Sequence, residues 1–295
     1  MFQIRKKRAL ANQIYLMDVK AERVAKACKP GQFVIVKMDE RGERIPLTIC
    51  DYDRKEETVT IVFQAVGAST KRMAELKEGD YFQDFVGPLG QPSELTGEPL
   101  ESLQNKKLLF IAGGVGTAPV YPQVKWLREQ GCKADCIIGA RNEELIILEE
   151  EMKQQAEQVY LATDDGSRGF HGNVTECLKD LIAQGKQYDQ IVAIGPLIMM
   201  KFVCLLTKEL GIPTIVSMNP IMVDGTGMCG ACRLTVGGET RFACVDGPEF
   251  DGHLVDFDEA MKRQTMYRTE EGRALLQSQD QQGKKAHHEN CGCHQ

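Results

Sequence analysis

The sequence predicts an antiparallel β-barrel joined to an α/β domain with a parallel sheet, and a small metal-binding module at the end of the chain. Three observations carry this. The first hundred residues hold short strands of alternating or β-branched apolar residues, bounded by Gly, Pro and Asp. Near residue 105 the pattern becomes strands alternating with helices of ten or more residues, the mark of βαβ units. From Asn219 the alternation stops, and Cys229, Cys232 and Cys244 fall within sixteen glycine-rich residues. The boundaries expected are 1–103, 104–218 and 219–273, with a polar, Gln-rich stretch 274–295 expected to be disordered.

In chain order, "MFQIRKKRALANQIYLMDVK" reads as a first strand. "GQFVIVKM", "IPLTICDYD" and "ETVTIVFQAV" are further strands, and "STKRMAELKEG" is a short helix with Ser69 as its cap. "LKEGDYFQDFVGPLG" has the turn chemistry of a barrel-closing strand. In the second domain "NKKLLFIAGG", "ADCIIGAR", "QVYLATDD", "YDQIVAIGP" and "IPTIVSMN" are strands. "APVYPQVKWLREQG", "NEELIILEEEMKQQA", "NVTECLKDLIAQG" and "IMMKFVCLLTKELG" are the helices between them.

A chain of 295 residues can bury two or three cores. Apolar residues at 42% and charged residues at 26% are ordinary for a globular protein. The net charge of -6 supplies no basic field for nucleic acid. No run approaches the ~18 apolar residues of a membrane helix. The start of the chain has a basic cluster without an apolar segment behind it, so a signal peptide is not expected and a cytoplasmic location is. In that setting the eleven cysteines are not expected to form a disulfide framework, and those that cluster speak for a metal. Cys28, Cys50, Cys132, Cys136, Cys177 and Cys204 are scattered and read as small buried hydrophobes or inert thiols.

The strand ends of the second domain hold the candidate nucleotide site. In "FIAGGVGTAPVYP" a strand runs into Gly113, Gly114 and Gly116 and a helix follows, which lets backbone approach a phosphate at a helix N-terminus. Asp164 and Asp165 follow one later strand, and Gly195 and Pro196 another; ligands of open α/β sheets gather at such ends. The carboxylates suit ribose hydroxyls and favour NAD, whereas Arg168 could pair with the 2′-phosphate of NADP. In the barrel, Arg44 near Thr48 and the helix start "VGASTK" could hold a diphosphate; an ordinary surface arginine is the alternative.

Read in order, "RIPLT", "GAST", "GGVGTAP" and "GPLIMMK" resemble the ferredoxin–NADP reductase superfamily over roughly the first 220 residues. The resemblance implies FAD on the barrel, with Arg44, Pro46, Leu47, Thr48, Ser69 and Thr70 as contacts. It also implies a nicotinamide nucleotide at Gly113, Gly114, Gly116, Thr117, Asp164, Asp165, Gly195 and Pro196. Many members carry a cysteine directly before the Gly-Pro; here that residue is Ile194, so thiol assistance near the nicotinamide is not expected.

Plant-type iron–sulfur spacing asks for a ligand five residues before Cys229, and that residue is Asp224. Asp224, Cys229, Cys232 and Cys244 form D-x4-C-x2-C-x11-C, which suits a [2Fe–2S] cluster with a carboxylate on one iron. Gly225, Gly227 and Gly230 would let the chain wrap it. Structural zinc, completed by His253 or by His287, His288 or His294 of the tail, is the rival, and Cys291 and Cys293 receive no role.

Module by module, the chain resembles two related families: dihydroorotate dehydrogenase electron-transfer subunits, and small FAD-containing subunits of NADH-dependent ferredoxin–NADP oxidoreductases. The aspartate leans toward the second. Either resemblance implies an oxidoreductase subunit that converts between hydride and single-electron transfer using NAD(H), FAD and the cluster. It also implies a larger iron–sulfur and flavin partner subunit, and electron bifurcation in the ferredoxin–NADP case with ferredoxin reached through that partner. No His, Ser or Cys of the chain reads as a required acid, base or nucleophile. A zinc-stabilised nucleotide-binding regulator is the reading from another class.

Overall fold

The computed structural model describes residues 1–277. The barrel strands are β1 (Phe2–Ala11), β2 (Ile14–Lys20), β3 (Phe33–Lys37), β4 (Ile45–Asp53), β5 (Thr58–Gln64), β6 (Tyr81–Phe82) and β7 (Asp84–Leu89). They pair in the order β6-β1-β2-β5-β4-β3-β7, with every pair antiparallel. The two edge strands, β6 and β7, are separated by one residue in the chain, so the sheet nearly closes on itself. Its interior holds Ile4, Met17, Val34, Ile49, Ile61 and Phe82, all fully buried. Each such side chain contributes about 1.5–3 kcal/mol through burial.

Helices α1 (Glu22–Ala27), α2 (Ala68–Glu75) and α3 (Leu100–Asn105) decorate the barrel and lead out of it. Three local expectations change. The single first strand is a hairpin, turned at Gln13 with φ 59°. Ser69 does not cap α2: Gly67 is the cap residue and Ser69 lies inside the helix. The closing segment divides into β6 and β7.

The α/β half contains β8 (Leu108–Gly113), α4 (Thr117–Glu129), β9 (Ala134–Ala140), α5 (Glu149–Gln155), β10 (Gln158–Thr163) and β11 (Phe170–His171). It continues through α6 (Val174–Ala183), β12 (Gln190–Ile194), α7 (Leu197–Glu209) and β13 (Thr214–Ser217). The long helix expected over "NEELIILEEEMKQQA" is only α5, because Leu148 takes a left-handed backbone at its entry. The sheet order is β11-β10-β9-β8-β12-β13, all parallel. Chain order reverses between β8 and β12, which creates a crevice at their carboxyl ends.

The last module has β14 (Arg233–Val236) and β15 (Glu239–Phe242) as a hairpin, then β16 (Glu249–Asp251) and α8 (Phe257–Arg263). β16 pairs antiparallel with β13, so this module extends the α/β sheet. One buried cluster joins Ile35 of the barrel, Ile111 and Ala193 of the sheet, and Cys232, Leu234 and Cys244 of the last module. Residues 268–277 are helical, although a disordered tail is expected from 274. His287, His288, Cys291, Cys293 and His294 lie outside the described residues.

Candidate functional site

The crevice between β8 and β12 opens into a cleft of about 1370 Å³ that also reaches the barrel. That exceeds the usual ~300–1,000 Å³ of a single small-molecule site. Pro46, Leu47 and Thr48 line it from β4, and Gly113, Gly114, Gly116, Asp164, Gly195 and Pro196 line it from the α/β side. Lys125 on α4 bonds Asp51 of β4 at 2.7 Å across the two halves.

The glycines do different work. A Cβ on Gly116 would strike the backbone of Ile194, and one on Gly113 would strike Met199. A Cβ on Gly195 would stand 3.1 Å from the Gly113 Cα. These three let the two crossover loops touch. Gly114 has φ +56°, and a Cβ there would meet nothing within 4 Å, so its backbone is the one open to a ligand. Thr117 is fully buried and donates to the Gly114 carbonyl at 2.9 Å, which closes the turn. Its role is local.

Other expected contacts are also engaged elsewhere. Asp165 accepts from the amide and hydroxyl of Ser167, and these bonds hold its carboxyl below the usual range. Arg168 bonds Glu149 at 2.9 Å. Thr70 accepts from the amides of Val66 and Gly67, at 3.0 Å each, and Ser69 donates to Glu43. Arg44, Ser69, Thr70, Thr117 and Asp165 are not among the cleft-lining residues.

Sequence reading overlooked Arg141, Asn173, Lys179, Met199 and Ser217, which do line the cleft. Arg141 and Ser217 were findable, since they end or directly follow the strands β9 and β13. The rim also exposes Val66, Ile198 and Phe202.

The cysteine-rich loop sits beside this cleft. Gly225, Gly227 and Gly230 have φ of 79°, 85° and 66°, so the loop winds through left-handed positions that glycine adopts freely. Asp224 turns into it: one carboxylate oxygen accepts from the Thr226 amide at 2.7 Å and the other from the Cys229 amide at 2.9 Å. Hydrogen bonds from the Cys229 and Thr226 side chains, together with these two amides, draw its carboxyl well below the usual range. Cys232 and Cys244 are buried with their sulfurs 3.2 Å apart, and Cys229 is exposed. Burial and the neighbouring Cys232 thiol push Cys244 up to about 12, so that thiol keeps its proton until a cation displaces it.

Two half-sites result: Asp224 beside Cys229, and Cys232 beside Cys244. The two pairs suit a two-iron group, with one pair of donors for each iron. Among the described residues no three His, Cys, Asp or Glu side chains gather around a single metal position. His253, the described candidate for zinc, instead meets the Thr207 hydroxyl at 2.9 Å. The six scattered cysteines are buried, as expected.

Comparison with known proteins agrees with this arrangement. Residues 219–256 match the iron–sulfur cluster binding domain of dihydroorotate dehydrogenase B, and residues 110–205 match the oxidoreductase NAD-binding domain. A Thermotoga maritima homologue of the dihydroorotate dehydrogenase B (NAD(+)) electron transfer subunit is 46% identical over 91% of this chain and 92% of its own. The chain belongs to the dihydroorotate dehydrogenase B electron-transfer subunit family. Within that family's reach, an uncharacterized Clostridium beijerinckii protein from the adh 3′ region is 60% identical over 99% of both chains.

A solved structure of an NADH-dependent reduced ferredoxin–NADP oxidoreductase, described in connection with flavin-based electron bifurcation, superimposes with a TM-score of 0.86. It is 42% identical and covers 94% of this chain and 97% of its own. The FAD/NAD-binding domain of a Vibrio cholerae nitric oxide dioxygenase is 17% identical with a TM-score of 0.57, over 72% of this chain and 93% of its own, which is a likeness of fold. This member of the family is thus an oxidoreductase subunit with an FAD-type barrel, an NAD-binding domain and an iron–sulfur domain. Among the described residues no helix is long and apolar enough to cross a membrane.

Proposed function

We propose that this chain passes electrons between NAD(H), FAD and a [2Fe–2S] cluster as the small subunit of an NADH-dependent ferredoxin–NADP oxidoreductase of the bifurcating kind. The observation that carries this reading is the aspartate-first donor set, with the Asp224 carboxylate 2.9 Å from the Cys229 amide and the buried Cys232–Cys244 pair behind it. The flavin supplies the exchange between paired and single electrons, and the cluster carries electrons one at a time.

The chain's residues then bind, orient and exclude water. Pro46, Leu47 and Thr48 form the flavin wall, while Gly114, Asp164 and the Gly195–Pro196 turn form the nucleotide wall. Asp164 at the cleft, with Arg168 already paired to Glu149, supports NAD over NADP. Asp224, Cys229, Cys232 and Cys244 hold the two irons. The working division is 1–103 for flavin, 104–218 for nucleotide and 219–273 for the cluster, and the setting is cytoplasmic. The partner is a larger subunit with its own flavin and iron–sulfur groups.

A dihydroorotate dehydrogenase partner is the second reading, favoured by the names of the curated relatives at 32–46% identity. Co-purification of the natural complex decides between the two partners.

Electron paramagnetic resonance of anaerobically purified, dithionite-reduced protein tests the cluster. One spin-half signal per chain is expected; an iron-free, zinc-containing sample would refute it. Asp224→Cys should keep the cluster while shifting its spectrum and potential. An unchanged spectrum and potential would remove Asp224 from the ligand set.

A further inference from the structure

Arg44 stands in the "RIPLT" stretch that the sequence offers to a flavin diphosphate, yet its guanidinium points across the molecule. Its Nε donates to the Val223 carbonyl at 2.7 Å, and its Nη2 donates to the Asp224 carbonyl at 3.1 Å. Those carbonyls belong to the first proposed cluster ligand and the residue before it.

Two other features fasten the same loop to the barrel. Gly225 packs where a Cβ would stand 2.6 Å from the Ile35 Cδ1 of β3 and 3.0 Å from the Leu89 Cδ1 of β7. At the far end of the ligand segment, the Gln91 side-chain amide donates to the Val245 carbonyl at 2.9 Å, and the Gln91 backbone amide donates to the Gly247 carbonyl at 2.7 Å. The segments around the first and last ligands, Asp224 and Cys244, are therefore each tied to the barrel.

From inside its own module the loop is held by Arg233, which donates to the Gly230 carbonyl at 3.1 Å, and by Arg263, which donates to the Ala231 carbonyl at 3.2 Å.

We propose that Arg44 is a positioning residue for the cluster: it registers the Asp224 half-site against the flavin-bearing strand and raises the potential of the iron pair. Arg44 directly precedes β4, whose Pro46, Leu47 and Thr48 line the cleft, so one short piece of backbone faces flavin on one side and the ligand loop on the other. Charge-assisted bonds to two successive carbonyls fix the loop's approach and orient those peptide dipoles. The half-buried guanidinium also favours the more negative, reduced state of the cluster. Arg44 acts through Asp224 and the loop backbone, and touches no reacting atom.

This inference rests on the cluster reading above, and the test separates the two. Full-length Arg44→Ala and Arg44→Lys proteins are purified anaerobically with their cofactors. FAD per chain, iron per chain, the resonance spectrum and the cluster midpoint potential are measured beside the parent protein. Arg44→Ala should keep its FAD while losing at least half its iron, or should keep iron with a more negative midpoint and altered g-values. Arg44→Lys, which keeps the charge but loses the fork, should hold both groups with a smaller potential shift.

Loss of FAD with an unchanged cluster spectrum and potential would overturn the proposal and return Arg44 to the flavin diphosphate. Parent-like iron, spectrum and potential in both variants would also overturn it, as would equal loss of both groups from Arg44→Lys. An iron-free parent protein, by contrast, would remove the cluster reading itself.

Discussion

The crevice and the cluster loop are both built on glycine, for opposite reasons. Gly113, Gly116 and Gly195 have no positive φ; what excludes a side chain there is the neighbouring loop, only a bond or two away in space. Gly225, Gly227 and Gly230 all sit at positive φ, and Gly230 has nothing closer than the Phe242 ring at 3.7 Å. At these three crevice positions glycine gives room; in the loop it gives backbone freedom, with Gly225 also needing room against Ile35 and Leu89. The same substitution should therefore fail in different ways at the two sites. At the crevice it pushes whole loops apart, whereas at the loop it costs local conformational energy.

The largest effect expected lies in the loop's thiols. Cys232 is buried against Cys244, and Cys232→Ala should abolish iron binding while FAD remains. Iron and flavin content per chain check this. Simultaneous loss of flavin would show that the loop and the barrel do not hold their cofactors independently.

The crevice should give way next. In Gly116→Ala the new methyl meets the carbonyl carbon of Ile194 at 2.8 Å and the Gly195 Cα at 3.0 Å, all backbone that cannot rotate away. Overpacking of this kind costs about 1–3 kcal/mol, and rigid neighbours place it at the upper end. NADH affinity should fall at least tenfold, measured by titration, with the iron content of the loop unchanged. A parent-like affinity would mean that the two crossover loops can separate freely.

Between the two regions lies Glu249 on β16, the strand that joins the last module to the sheet. It is buried; one carboxylate oxygen accepts from Gln123 of α4 at 2.6 Å, and the other has no hydrogen-bond partner among the described residues. The Ser93 hydroxyl bonds the same Gln123 at 3.1 Å, so three parts of the chain meet here. Burial, with the Glu94 charge adding to it, raises the Glu249 carboxyl to about 7. The folded protein then holds the proton more tightly than the unfolded chain does. That stabilisation is complete below the ordinary glutamate range near 4.5 and is lost as pH rises through 7, for a total of roughly 3 kcal/mol. Glu249→Gln should flatten the melting temperature between pH 5 and 8. Equal pH dependence in both proteins would show that the carboxyl is solvated or paired.

What the sequence made legible was whatever depends on near neighbours along the chain. Alternating strands, the βαβ rhythm and the cysteine spacing are local patterns, and the order of the glycine turns located the crevice. Contacts across long separations stayed hidden. Arg44 reaches carbonyls about 180 positions away, and nothing in "RGERIPLT" points there. The burial of Glu249 follows from β16 pairing with β13, a tertiary event that its own residues do not announce. Residue type alone offers Ser69, Thr70 and Asp165 to ligands, but in the fold each side chain bonds within its own turn or to a neighbouring loop. Polar side chains near a turn have a ready partner in the turn itself.

The smallest effect tests the comparison most directly. Gly230→Ala adds a methyl that meets only the Phe242 ring, at ordinary contact distance, so space is not the issue. What changes is the backbone, because φ 66° costs a residue with a Cβ about 1–2 kcal/mol. The turn between Cys229 and Cys232 would relax toward negative φ whenever the metal does not hold it. The protein should therefore retain its cluster as purified but release iron to a chelator several-fold faster than the parent, with FAD content and NADH affinity unaltered. If release matches the parent protein, the left-handed turn is not what holds the loop in its binding shape. The ties made to it by arginine side chains would then be sufficient.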